Sequence, residues 1–146
     1  MTEHSLWRLS RALHAAINER RFDDFAEALD DDIDWAIYGP IDMFPFLGAR
    51  RGKEAVIEAV RQIAANVSIR RLDRETLMLD DSGAATMVRC AMTTQDSDKP
   101  ITARLAQFLQ FREGRLSRAR ILIDTFDLVE QTLGRPIDLP RIGSFA

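Results

Sequence analysis

Apolar side chains recur at helical spacing in four parts of the chain, so that each part has one apolar face. In the first, Leu6, Leu9 and Leu13 share a face, and Ser5 stands where an N-cap is expected. In the last, Asp124 suits an N-cap and Gly134 suits the position after the helix. The pattern predicts helices over residues 5–18, 22–29, 53–66 and 124–134.

Elsewhere the apolar period changes to two, which is the period of a half-buried strand. The pattern predicts strands over residues 33–38, 69–79 and 84–94, and a long hairpin within residues 101–127. Gly114 supplies the flexibility that the hairpin turn requires. Residues 41–52 predict a loop, but one rich in large apolar side chains, so we expect it to cover an apolar surface.

The order of these elements predicts an α+β fold. The later strands follow one another without intervening helices, so they must pair antiparallel. The length of 146 residues suits a single domain over residues 1–146, with a core at 1–134 and a C-terminal tail at 135–146 that has no apolar period.

Composition narrows the classes of function. A net charge of −3, with arginines spread among acids, argues against nucleic-acid binding. No segment approaches the roughly 18 apolar residues of a membrane span, and a single cysteine, Cys90, fits a reducing cytoplasm. His4 and His14 are the only histidines, which leaves too few soft ligands for a metal site. We therefore expect a cytoplasmic protein with no cofactor, nucleic-acid or membrane partner.

Three residues are candidates for chemistry. Gln107 interrupts the apolar face of the hairpin, so its amide either bonds a neighbouring main-chain group or faces a cavity. Asp124 follows an apolar run and could act in acid–base catalysis, although capping the last helix already accounts for it. Cys90 is more simply a buried apolar residue than a nucleophile.

Three segments resemble one family in their order: PFLGARRGKEAV at residues 45–56, QFREGRL at 110–116, and IDTFDLVEQTLG at 123–134. They resemble the nuclear-transport-factor-2-like superfamily, in particular its SnoaL-like and ketosteroid-isomerase-like branch. The resemblance implies a cone-shaped, cystatin-like fold, in which a strongly curved mixed or antiparallel sheet wraps around three helices. It also implies a pocket on the concave face and a homodimer formed through the sheet.

The resemblance also shows which known catalytic sets are absent. Ile37 and Leu13 stand where ketosteroid isomerases carry their carboxylate base and their oxyanion-binding tyrosine, and Gln107 stands where the second oxyanion donor lies. The positions of the catalytic arginine and aspartates of limonene-epoxide hydrolases fall on Val88, Cys90 and Ile121.

Three interpretations follow from the residues and the resemblance. The first is a domain that binds an apolar small molecule, oriented by Gln107 and the indole of Trp35. Its predicted pocket wall consists of Trp35, Ile37, Val88, Cys90, Leu105, Leu109, Ile121 and Ile123. The second is an isomerase or cyclase in which Asp124 is the base and Gln107 polarises a ketone. The third is a dimerisation module whose cavity is filled by its own side chains.

Overall fold

The computed structural model describes residues 2–95 and 97–137. Four helices and six strands alternate along this part of the chain. In chain order they are α1 (Thr2–Glu19), α2 (Asp23–Glu27), β1 (Leu29–Tyr38), β2 (Gly48–Arg51), α3 (Lys53–Asn66), β3 (Val67–Leu79), β4 (Gly83–Thr94), β5 (Ser97–Arg112), β6 (Arg115–Ile123) and α4 (Thr125–Leu133).

The six strands form one curved sheet in the order β2-β1-β6-β5-β4-β3. The predicted antiparallel pairing of β3 through β6 is confirmed. β1 pairs with β6 in parallel, so the sheet is mixed and the first and last strands of the chain are neighbours in it. The α+β architecture predicted from the order of elements is therefore the one observed.

The turn between β5 and β6 has the conformation that its sequence favours. Glu113 and Gly114 both have positive φ, at 53° and 78°. Two central residues with positive φ are typical of the tight turns whose twist matches that of the flanking strands. The turn, together with one extra residue in β6 between Leu116 and Arg118, sets the register in which Leu105, Gln107 and Leu109 pair with β6.

The core lies between one face of the sheet and helices α1 and α3. Leu6 from α1, Val56 and Val60 from α3, and Phe25 from α2 are all at most 1% exposed. They pack against inward-facing residues of β1 and β6, such as Ile33. Each large apolar side chain buried in this way stabilises the fold by about 1.5–3 kcal/mol relative to exposure.

Two local predictions are wrong. Helix α1 begins at Thr2, so Ser5 is a buried residue within the helix and not its N-cap. The strand predicted over residues 33–38 begins earlier, at Leu29, so three consecutive aspartates, residues 30–32, lie inside β1. They fall where β1 advances from Leu29 to Asp34 while β6 advances only from Leu116 to Arg118, so the extra length bulges out. Asp31 and Asp32 are exposed, whereas Asp30 is partly buried and pairs with Arg112 at 2.7 Å.

The predicted apolar loop contains the short edge strand β2. Arg50 shapes the turn before it, because its guanidinium donates to the carbonyls of Leu47 and Pro45 at 3.1 and 2.9 Å. None of the helices described here is long and apolar enough to cross a membrane.

Candidate functional site

A cavity of about 230 Å³ lies between the helices and the inner face of the sheet. Strands β1 and β3 to β6 supply its floor, and α1, α3, α4 and the loop before β2 close it. Most of its lining is apolar. The polar side chains that border it are Ser10, His14, Arg74, Thr94, Gln107, Thr132 and the indole of Trp35.

The register of the sheet brings the predicted wall residues together. Ile37, Ile121 and Gln107 are Cα partners in one row across β1, β6 and β5, and Leu105 pairs with Ile123 in the next inward row. Successive inward residues of a strand share one face, so these rows form a continuous surface. The predicted residues that border the cavity are Trp35, Ile37, Cys90, Leu105, Leu109, Ile121 and Ile123, together with Gln107.

Val88 does not border the cavity. It is 1% exposed and lies beside Arg74, its partner on β3, so the structure places it in the packed interior of the sheet. The sequence pattern identifies its face correctly but cannot distinguish a side chain that borders a void from one enclosed by its neighbours.

Asp124 is also outside the cavity lining. Its side chain is exposed, and its carboxylate accepts a hydrogen bond from the backbone N–H of Asp127 at 3.4 Å, which caps α4. Its own N–H donates to the carbonyl of Arg104 at 3.1 Å, which fixes it where β6 ends. Strand alternation explains the outward position, because Ile121 and Ile123 take the inward side.

Trp35 is the buried residue whose polar group lacks a partner. It is 3% exposed, and its indole N–H finds no hydrogen-bond acceptor within residues 2–95 and 97–137. Phe25 packs edge-to-face against the ring, with centroids 6.4 Å apart, and so holds its orientation. A buried donor without an acceptor costs about 1–3 kcal/mol, so this N–H is a site where a ligand oxygen would be favoured.

Gln107 is half-buried, and no side-chain hydrogen bond of its amide is found within residues 2–95 and 97–137. Its neighbour in the same row, Thr86, cannot readily serve it, because that hydroxyl donates to the Thr76 carbonyl and accepts from Arg74. Gln107 therefore presents a free donor and a free acceptor on the cavity floor.

Cys90 borders the cavity as a protonated thiol. Burial raises its pKa to about 11, so the thiolate that a nucleophile or metal ligand requires is scarce near neutral pH. Within the described residues, no group of three His, Cys, Asp or Glu side chains is arranged to hold a metal ion.

Arg74 is a cavity residue that the sequence pattern misses. β3 has two bulges, between Ile69 and Arg71 and between Arg74 and Thr76, and each shifts the alternation by one residue. Strict alternation from Ile69 would turn Arg71 inward, whereas the first bulge turns Leu72 and Arg74 inward instead. Neither bulge site carries a glycine or proline, so the sequence gives no signal for it.

Comparisons with known proteins identify the family and the fold. The family model described as "SnoaL-like domain" matches residues 10–119. No curated protein matches the sequence. A crystal structure from Rhodopseudomonas palustris, described as a "putative isomerase", is 59% identical and superposes with a TM-score of 0.90 over 92% of this chain and 100% of that one.

More distant structures share the fold. A "putative isomerase" from Bacillus subtilis is 16% identical, with a TM-score of 0.74 over 92% of this chain and 96% of that one. An "LEH-like epoxide hydrolase" from M. tuberculosis is 18% identical, with a TM-score of 0.66 over 90% of this chain and 91% of that one. At this identity the similarity concerns the fold alone.

Proposed function

The chain belongs to the SnoaL-like domain family, and from that premise we propose that it binds an apolar small molecule in the cavity above the sheet. The ligand's apolar body contacts Ile37, Leu105, Ile121 and their neighbours, and a carbonyl or similar oxygen accepts from Trp35. Apolar cavities with a few convergent polar groups are the usual form of a small-molecule site.

The observation that carries this proposal is the buried, unpartnered indole N–H of Trp35, a residue of the mostly apolar cavity wall. Native proteins rarely leave such a donor unsatisfied. A ligand oxygen would satisfy it, and the free amide of Gln107 on the same floor would provide a second polar contact.

The size of the cavity limits the ligand. A void of about 150 Å³ lined by apolar side chains is enough to bind benzene, and the present cavity is about 230 Å³. The proposed ligand therefore has one ring or two small fused rings, unless the loop that carries Phe44 and Phe46 moves aside.

Tryptophan fluorescence tests the proposal. The chain has two tryptophans, so the titration is done in a Trp7→Phe background, in which Trp35 is the sole reporter. We expect 1-indanone to give a saturable change, and indane, its matched hydrocarbon, to bind about tenfold more weakly because it lacks the oxygen.

Calorimetry on Trp35→Phe, in which Trp7 is retained, provides the control. The substitution removes the indole N–H together with the rest of the pyrrole ring, so the affinity for 1-indanone should fall by more than the affinity for indane, which cannot accept a hydrogen bond. The absence of saturable binding of either compound, in both fluorescence and calorimetry, would contradict the proposal.

A second candidate function is proton transfer next to a ketone, which is favoured by the 59% identical relative described as a "putative isomerase". Asp124 is outside the cavity, and Cys90 is protonated. Among the described residues that border the cavity, His14 is therefore the one suited to act as a base. Trp35 and Gln107 would donate to the enolate oxygen that forms as the proton leaves.

Hydrogen–deuterium exchange of 1-indanone in D₂O, followed by proton NMR, tests this second candidate. We expect the protein to accelerate exchange at the carbon next to the carbonyl, and His14→Gln to remove most of the acceleration. Asp124→Asn is the matched control and should exchange as fast as the original protein. Exchange no faster than in buffer would exclude the proton-transfer function for this ketone.

A further inference from the structure

We infer that the ligand of this cavity is an organic acid, whose anionic group pairs with Arg74 while its apolar body contacts the sheet. This inference rests on the proposed function and narrows it to one chemical class.

Neutral groups hold the guanidinium of Arg74 at the cavity. Its Nε–H donates to the hydroxyl of Thr86 at 3.2 Å, and its Nη2 donates to the hydroxyl of Ser10 at 3.2 Å. The ring of Trp7 covers one face, with its centroid 4.5 Å from Cζ. These contacts fix the orientation of the guanidinium but leave its positive charge uncompensated.

Carboxylates close in sequence to Arg74 are engaged elsewhere. Asp73 pairs with Arg71 at 2.8 Å, and Glu75 pairs with Arg104 at 3.1 Å. Strand geometry directs both acids away from the inner face. No carboxylate within residues 2–95 and 97–137 lies within 4.0 Å of the Arg74 guanidinium, whereas Arg112 and Arg120 on the same sheet each have such a partner.

Arg74 is also partly removed from water. It is half-buried, and burial lowers the pKa of its guanidinium below the ordinary value. Guanidinium groups remain protonated in proteins, so Arg74 stays charged when it is buried. The free-energy cost of desolvating that charge is therefore not relieved by loss of a proton. An anion arriving from the cavity would offset that cost.

The geometry of the site favours a carboxylate or a similarly planar acid. Arginine presents a rigid fork of N–H donors that matches a carboxylate, and two of its nitrogens are already held in place by Ser10 and Thr86. Of the other described residues that border the cavity, His14 can carry positive charge and Cys90 can lose a proton, and none is a carboxylate that would repel an anion.

Matched acid and amide pairs test the inference, because each pair shares its apolar body and differs in charge. We would measure 2-naphthoate against 2-naphthamide, and phenylacetate against phenylacetamide, by calorimetry at neutral pH. The original protein is expected to bind each acid about tenfold or more tightly than its amide.

Arg74→Met is expected to remove that preference while leaving amide affinity nearly unchanged, and Arg74→Lys to retain part of it, since the charge remains and the fork is lost. Arg71→Met is the matched control: that arginine lies on the same strand, 75% exposed at its side chain and paired with Asp73, and its loss should change neither affinity.

The outcomes separate the inference from the function on which it rests. Equal affinity for acid and amide in the original protein would overturn the acid inference and leave a neutral ligand as the proposed function. Binding of no probe from either pair, and of neither 1-indanone nor indane, would overturn both. Equal weakening of acid and amide in Arg74→Met, with a lowered melting temperature, would assign Arg74 a structural role only and overturn the inference.

Discussion

Cys90 lies in the cavity wall with a thiol whose pKa differs between the folded and unfolded chain. Burial raises the pKa from its ordinary value of 9.0 to about 11. Above about pH 9 the unfolded chain loses this proton while the folded chain keeps it until about pH 11. The contribution of the thiol to stability is therefore complete below pH 9 and is lost as the pH rises from there to about 11.

We predict that the free energy of unfolding falls more steeply between these pH values in the original protein than in Cys90→Ala. The expected difference in slope is at most about 1.4 kcal/mol per pH unit. Urea unfolding at a series of pH values measures it. Other groups also titrate in this pH range, but they contribute equally to the pH dependence of both proteins. Comparing the original protein with Cys90→Ala therefore isolates the contribution of the thiol. Parallel curves would show that the thiol is not desolvated.

Single residues also show what the sequence could reveal of the site. Strict alternation along the hairpin predicts that Leu105, Gln107 and Leu109 share a face, and the structure has them on one face beside the cavity. It cannot predict that Arg74 faces the cavity, because two bulges in β3 change which residues face inward and no glycine or proline marks either bulge. The uncompensated charge beside Trp7 and Ser10 therefore emerges only from the three-dimensional structure.

At the scale of elements, α4 depends on the cap that Asp124 supplies. Its carboxylate accepts from the N–H of Asp127, and Gly134 ends the helix in the left-handed conformation. We predict that Asp124→Ala lowers the free energy of unfolding by about 1 kcal/mol, while Asp124→Ser, which keeps a capping oxygen, lowers it by only a few tenths. Chemical denaturation measures both.

The same two variants distinguish the cap from a catalytic or binding role. We expect both to bind 1-indanone as the original protein does, because Asp124 does not border the cavity. A loss of binding shared by Ala and Ser, with stability retained in Ser, would place the carboxylate in the site after all.

Helix α1 covers the exposed edge of the sheet through Asn18. Its side-chain amide donates to the Ile69 carbonyl and accepts from the Ile69 N–H, both at 2.8 Å, as a neighbouring strand would. β3 is an edge strand, so these groups would otherwise be open to solvent or to another chain.

We predict that Asn18→Ala lowers the free energy of unfolding by about 1 kcal/mol and increases hydrogen exchange at the Ile69 amide. Asn66→Ala is the control, because among residues 2–95 and 97–137 the Asn66 side chain bonds to the Gln62 carbonyl of its own helix and to no strand. Unchanged protection of the Ile69 amide in Asn18→Ala would show that the pairing is not maintained in solution.

Elements with a clear apolar period are predicted well, and the four-residue strand β2 is not. The predicted third helix, residues 53–66, coincides with α3 because its apolar face and flanking breaks are clear. Strand β2 is missed because four residues are too few to show a period, and its position depends on pairing with β1. The start of α1 is missed because residues 2–4 lack apolar side chains that would extend the stripe.

At the scale of the whole molecule, the outer face of the sheet carries an apolar row. Met87, Ala106, Leu122 and Tyr38 are successive Cα partners across β4, β5, β6 and β1. Met87, Leu122 and Tyr38 are 38%, 45% and 53% exposed. A contiguous exposed apolar surface of this kind is typical of an interaction site. The family resemblance predicted a homodimer formed through the sheet, and we propose that this row is its centre.

Electrostatics permit a second copy of this chain to bind at this row. Arg120, beside the row, is paired with Asp34 at 3.0 Å, and Arg104 with Glu75 at 3.1 Å, so the charges of these two arginines are partly compensated within each chain. A net charge of −3 per chain opposes association only weakly. The third interpretation, a dimerisation module without a ligand, requires the same interface.

We predict that the protein has about twice its chain mass of 16.6 kDa in solution, and that Leu122→Lys yields monomers, because a charge at the centre of an apolar interface is desolvated without a partner. Leu133→Lys is the matched control: Leu133 is equally exposed, at 45%, but lies on α4 away from the row, so its substitution should leave the mass unchanged. Light scattering coupled to size-exclusion chromatography measures the mass of all three proteins.

If Leu122→Lys is monomeric and still binds 1-indanone, ligand binding in the cavity does not depend on dimerisation. If the original protein is itself monomeric, the outer row is not an interface between copies, and the predicted homodimer is wrong.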